Sequence, residues 1–119
     1  MSANDLIDIR DSLRTFAAER DWDQFHTPKN LATALSVEAG ELLEHFQWLK
    51  DDESRNLPDA TKQAVTEEMA DVLLYLVRLA DRLDVDLTDA ARRKMSLNAS
   101  RYPVALARGN ATKHSKLGR

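Results

Sequence analysis

The chain contains no cysteine, so it can form no disulfide, carry no thiol nucleophile and offer no thiolate to a metal. Three glycines and three prolines in 119 residues are too few for the many turns of an all-β fold. The glycines are also too scattered to form a phosphate-cradling loop, and no Ser/His/Asp arrangement stands out. The longest strongly apolar run, Val72 to Val77, falls far short of the roughly 20 residues needed to cross a bilayer. The start, Met1-Ser2-Ala3-Asn4-Asp5, lacks the basic and apolar regions of a signal peptide. A net charge of −3 excludes the broad basic field of a nucleic-acid binder. These absences predict one cytoplasmic domain in a reducing compartment, with neither nucleic acid nor membrane as partner. The 43% hydrophobic and 31% charged content suits a helix-rich soluble protein.

Helical periodicity runs through most of the chain. A first helix is expected from about Asn4 to Glu19, with Leu6, Ile9, Leu13 and Phe16 at helical spacing. Residues 20–27 form a loop dense in aromatics: Trp22, Phe25 and His26 either pin it to the core or build a wall on which a base stacks. Thr27 and Pro28 suit the N-cap and first turn of a second helix, expected to reach about Leu49. A polar connection, Lys50 to Leu57, precedes a third helix from Pro58 to about Leu83. The centre of that helix, Val72 to Val77, is apolar on every side, so a neighbour must cover it and an oligomer is expected. Asp86 or Thr88 can cap a fourth helix that ends near Arg101, before Pro103. Lys94, Asn98 and Arg101 share one face of it. Beyond Pro103 the periodicity stops and the residues from Arg108 to Arg119 are basic and polar.

Two acidic pairs stand out: Glu38-Ala39-Gly40-Glu41 on the second helix and Glu68-Met69-Ala70-Asp71 on the third. Residues three apart lie on one helix face. With Leu35, Leu42, Phe46 and Leu49 taken as the spine of the second helix, Glu38 and Glu41 fall along one flank. With Val65, Met69, Val72, Leu76 and Leu83 as the spine of the third, Glu68, Asp71 and Tyr75 fall along a similar flank, with Arg78 beyond. Antiparallel packing can bring the two flanks together across a cleft. Four carboxylates there would repel and resist desolvation, and a divalent cation resolves both problems. Oxygen donors without cysteine suit Mg²⁺ or Mn²⁺ rather than Zn²⁺. The competing arrangement leaves Glu41 and Asp71 solvated and pairs Glu38 and Glu68 with Arg78, Lys94 or Arg101. A di-iron carboxylate bundle would want Glu-x-x-His on two helices, but Leu42 lies three residues before His45 and the third helix has no histidine.

The two acidic pairs, together with Trp22, Gln24-Phe25-His26, Phe46-Gln47-Trp48, Tyr75, Lys94, Asn98 and Arg101-Tyr102-Pro103-Val104, resemble the MazG-type nucleoside triphosphate pyrophosphohydrolases. The likeness is strongest to their dCTP pyrophosphatase branch and spans nearly all of the chain from Leu13 onward. It implies an all-α, four-helix MazG-like bundle over residues 1–104, assembling as a dimer or dimer of dimers; the basic, aperiodic stretch over 105–119 is expected to be a mobile tail. It implies Mg²⁺-dependent hydrolysis of a (deoxy)nucleoside triphosphate, dCTP or a modified dCTP, to the monophosphate and pyrophosphate.

By the same resemblance Glu38, Glu41, Glu68 and Asp71 would hold the metal, and Glu38 or Glu41 would activate water. Trp22, Trp48 and Tyr75 would enclose the base. Lys94 and Asn98 would lie near the phosphates and metal, and Arg101 is expected to join Lys94 in offsetting charge on the pyrophosphate leaving group. Leu13 departs from the vertebrate pattern, which has a histidine at that pocket edge, and the departure bears on base preference. Two rivals remain: a non-catalytic helical interaction module, and a related enzyme acting on dUTP or phosphoribosyl-ATP.

Overall fold

The computed structural model describes residues 5–118. In chain order it holds α1 (Asp5–Glu19), α2 (Pro28–Glu44), α3 (Asp51–Arg55), α4 (Asp59–Arg82), α5 (Leu87–Arg101), α6 (Val104–Ala107) and a 3-10 turn (His114–Lys116). No strand occurs among the described residues, so the architecture is all-α as the periodicity predicts. The chain divides into two compact units, one up to Val85 and one from Asp86 onward. Among the described residues no helix is long and apolar enough to cross a membrane.

In the first unit α4 is the spine, and both α2 and α1 pack against it. Thr27 caps α2 by accepting the Asn30 backbone N–H at 3.2 Å, with Pro28 in the first turn where its missing donor costs nothing. The inward face of α2 carries Leu31, Ala34, Leu35, Glu38, Glu41, Leu42 and His45. Leu31 is 2% exposed, and burying such a side chain contributes about 2 kcal/mol. Residues 61, 64, 65, 68, 71, 72, 75 and 78 form the matching stripe of α4.

That stripe corrects the axis expected for this helix. Glu68, Asp71, Tyr75 and Arg78 lie on the inward face itself, whereas Met69 is 51% exposed and Leu73, Leu76 and Leu83 are exposed with it. Part of the apolar surface of α4 is therefore left exposed, while Val65, Val77 and Ala80 are buried.

The connections differ from expectation in two places. First, α2 stops at Glu44 instead of Leu49. The backbone tightens there, with N–H groups of His45 and Phe46 donating to Leu42 and Leu43 three residues back. Second, the polar connection contains α3. Asp51, Asp52 and Glu53 occupy its first turn, where the helix dipole favours negative charge. The Lys50 N–H donates to the Glu53 carboxylate at 2.8 Å.

Helix α1 ends with Asp21 in the left-handed region at φ 56°. The Asp21 N–H donates to the Ala18 carbonyl and the Trp22 N–H to the Ala17 carbonyl, which is the Schellman pattern. The turn brings Trp22 back onto Phe16, edge to face, with ring centroids 5.5 Å apart.

In the second unit Asp86 caps α5 by accepting the Asp89 N–H at 2.9 Å. Tyr102 meets His114 edge to face at 5.6 Å, and Leu117 is buried.

Candidate functional site

The packing of α2 on α4 brings Glu38, Glu41 and Glu68 together. One carboxylate oxygen from each lies within 4.8 Å of the other two. Oε2 of Glu38 and Oε2 of Glu68 are buried and accept no hydrogen bond from any of the described residues. Native proteins rarely leave buried polar atoms without partners. Here Glu38, Glu41 and Glu68 neighbour one another, and ionised acids cannot donate. The carboxyl of Glu38 is accordingly raised above the ordinary carboxylate range, first because it can share a proton with Glu68, then through burial and the negative charges of Asp71 and Glu68. Glu41 is raised by its contact with Glu38. A cluster of hard oxygen donors with orphaned lone pairs and excess negative charge fits a divalent cation such as Mg²⁺ or Mn²⁺.

Asp71 lies one turn along α4 from Glu68, outside the three-carboxylate group but near enough for its charge to act on Glu38. It lines a cavity of about 270 Å³ together with Leu13, Phe16, Trp22, His26, Leu74, Tyr75 and Arg78. The walls come from α1, the loop at residues 20–27 and α4. Three aromatic rings, an imidazole and two aliphatic chains give a mostly apolar slot, with a carboxylate and a guanidinium among its lining groups. Such a slot suits a flat heteroaromatic ring. Trp22 is held edge-on to both Phe16 and His26, the latter with centroids 6.1 Å apart.

The remaining candidates belong to other elements. Trp48, in the turn after α2, is 87% exposed and does not line this cavity. Lys94, Asn98 and Arg101 fall on α5 of the second unit, at positions i, i+4 and i+7 of one face. Phe25, from the aromatic loop, is exposed and outside the cavity.

Sequence reasoning missed the polar lattice behind the slot. Arg78 donates to His26, Asp23 and Asp81; Arg14 of α1 also binds Asp81; and Arg82 donates to the His26 carbonyl at 3.0 Å. The available signal was the i, i+4, i+7 series Asp71, Tyr75, Arg78, which continues the acidic flank by a full turn.

Comparison with known proteins finds relatives of this chain. A family described as MazG-like matches residues 33–117. Mouse dCTP pyrophosphatase 1 is 52% identical over 116 residues, covering 96% of this chain and 68% of the mouse protein. The human dCTP pyrophosphatase 1 is 49% identical over 114 residues, covering 94% of this chain and 67% of its own. Among solved structures, a pyrophosphatase from Archaeoglobus fulgidus superposes with a TM-score of 0.79 at 41% identity, over 87% of this chain and 96% of that one.

Proposed function

We propose, since the chain belongs to the MazG-like family, that it removes pyrophosphate from dCTP or a base-modified dCTP in a Mg²⁺-dependent reaction. The chain is an enzyme, a nucleoside triphosphate pyrophosphohydrolase. The choice of nucleotide and of metal is our reading. The observation that carries it is the adjacency of two features: three clustered carboxylates with orphaned oxygens, and an aromatic slot that shares Asp71 with their surroundings.

Glu38, Glu41 and Glu68 would hold the cation, with Asp71 completing the set. When bound, Mg²⁺ or Mn²⁺ would neutralise triphosphate charge and acidify a water. Trp22 and Tyr75 stack on and flank the base in the slot, and Trp48 is assigned to base contact by resemblance alone. A water oxygen bonds to the α-phosphorus while the bond from that phosphorus to the bridging oxygen of the β-phosphate breaks. Pyrophosphate leaves and the monophosphate remains. Glu38 or Glu41 takes the proton of the attacking water as general base. Lys94, Asn98 and Arg101 are assigned to the phosphates. Residues 1–104 are read as the catalytic domain. A second copy of the chain is proposed to cover the exposed Met69, Leu73 and Leu76 face of α4.

The deciding experiment measures pyrophosphate release with Mg²⁺ across all canonical dNTPs and NTPs plus 5-methyl-dCTP. Release concentrated on dCTP and its derivative is expected. Equal release across the panel would overturn the base assignment. Wild-type rates in Glu38→Gln and Asp71→Asn would overturn the metal assignment.

A further inference from the structure

Among the described residues Arg78 is the one charged side chain that is buried, at 5% exposure. A buried guanidinium needs partners for its charge and its donors. Its Nη2 donates to Asp23 Oδ1 at 2.5 Å and its Nη1 to Asp81 Oδ2 at 3.4 Å. Its Nε donates to Nδ1 of His26 at 3.1 Å. That last contact has a chemical consequence. Arginine has no lone pair to offer, so Nδ1 of His26 must be the acceptor. His26 is then neutral and carries its proton on Nε2. Burial, and after it the charge of Arg78, lowers the proton affinity of His26 in the same sense.

The ring fixed in this way lines the aromatic slot and touches Trp22 edge to face. Asp23, the other partner of Arg78, directly follows Trp22 in the chain. Arg78 thus holds two residues that follow the loop's tryptophan, Asp23 and His26, against α4. Asp81 extends the hold to α1 through Arg14.

The geometry points to Arg78 as a positioning residue for base recognition: it fixes His26 as the Nε2–H tautomer and ties the Trp22 loop to α4. In that tautomer Nε2–H is the ring's one donor, on a residue that lines the slot. A base carrying a carbonyl or ring-nitrogen acceptor on its pairing edge can use such a donor. This inference rests on the reading of the slot as the base pocket.

The test joins a spectroscopic readout to a kinetic one. Long-range ¹H–¹⁵N spectra of the intact protein report the tautomer of each of its three histidines, with His26 assigned through His26→Gln. The Nε2–H form is expected for His26 in the wild type. A mixed or Nδ1–H form is expected in Arg78→Lys, which keeps the charge and loses the fork. On the best nucleotide of the panel, Arg78→Lys should raise KM about tenfold, the size of one lost charge-assisted hydrogen bond, with kcat within about twofold. Asp23→Asn, at a half-exposed residue, should raise KM by a smaller factor while leaving the fold intact.

A variant that is only less stable would lose active enzyme and lower the apparent kcat with KM unchanged. That pattern in both variants would overturn the proposal, as would an Nδ1–H or protonated His26 in the wild type. If the wild type hydrolyses no nucleotide, the function reading fails, and the imidazole spectrum still decides the pairing of Arg78 with His26.

Discussion

Replacing Glu68 with Gln separates what the acidic cluster costs the empty protein from what it gains on binding a cation. In the wild type, Glu38 and Glu68 present carboxylate oxygens within 4.8 Å of each other. Two unit charges at that distance repel by about 1 kcal/mol in water-like surroundings and by about 3 kcal/mol at the effective dielectric of a protein surface. Removing one charge should therefore stabilise the metal-free protein by about 1 kcal/mol, or about 4 °C in Tm for a chain of this length. The effect of Mg²⁺ should run the other way. At one hundred times its dissociation constant a ligand adds about 2.7 kcal/mol to the native state, or about 10 °C. Glu68→Gln should lose most of that increment. The assay is thermal unfolding followed by circular dichroism in EDTA and in a Mg²⁺ series. The reasoning is refuted if Mg²⁺ stabilises Glu68→Gln as much as the wild type, or if the variant in EDTA melts several degrees below it.

Other expectations are simpler to state. Trp22→Ala should raise the KM for the preferred nucleotide by about 5- to 100-fold, the equivalent of one base stack, in steady-state pyrophosphate assays. Trp48→Ala, at an exposed site, should leave Tm within about 2 °C, since surface truncations cost little; a raised KM would show that this ring reaches the nucleotide. Leu31→Ala should cost about 3 kcal/mol by opening a cavity between α2 and α4, read as a lower urea midpoint at unchanged slope. The Asp81 carboxyl is held below its ordinary value of 3.8, first by its ion pair with Arg14. The stability this pair contributes is present above that ordinary value and lost as pH falls through the lower folded-state value. Asp81→Asn should accordingly flatten the acid limb of the Tm–pH curve and leave its shape near neutral pH unchanged.

Much of the fold can be read from local chemistry. The Thr27-Pro28 start of α2 forms as read, and of the two caps open for α5, Asp86 and Thr88, the chain uses Asp86. The bounds of α4, Asp59–Arg82, follow from Pro58 and the end of the apolar periodicity. The end of α2 was less legible because Phe46, Trp48 and Leu49 keep an apolar character that continues the helical pattern. The chain nevertheless turns at His45 and leaves Trp48 in solvent.

The rotation of α4 was misread for a physical reason. A hydrophobic maximum is a poor guide in a helix apolar on most sides, and in α4 Val65, Val77 and Ala80 are buried while Met69, Leu73 and Leu76 are exposed. The inward stripe is weaker in hydrophobicity because it carries Glu68, Asp71 and Arg78. The acidic pairs were conspicuous in sequence as four acids set in apolar runs. The lattice around Arg78 was less so, because its bonds to His26 and Asp23 and the Arg14–Asp81 pair join residues 52 to 67 positions apart, with only the Asp71, Tyr75, Arg78 series pointing toward it.

Glu38 and Glu68 sit well inside two long helices, not on loops. The span between their carboxylates is consequently set by how closely the helix backbones approach, and side-chain rotamers are the only slack. Mg²⁺ bonds oxygen at about 2.0–2.1 Å and Ca²⁺ at about 2.3–2.6 Å, with more ligands. A frame carried on helices cannot widen by flexing a loop, so a larger ion must push α2 from α4 or leave one carboxylate behind. The helix pair acts as a calliper, and it should sort divalent ions by radius more sharply than a loop-borne set of the same four acids.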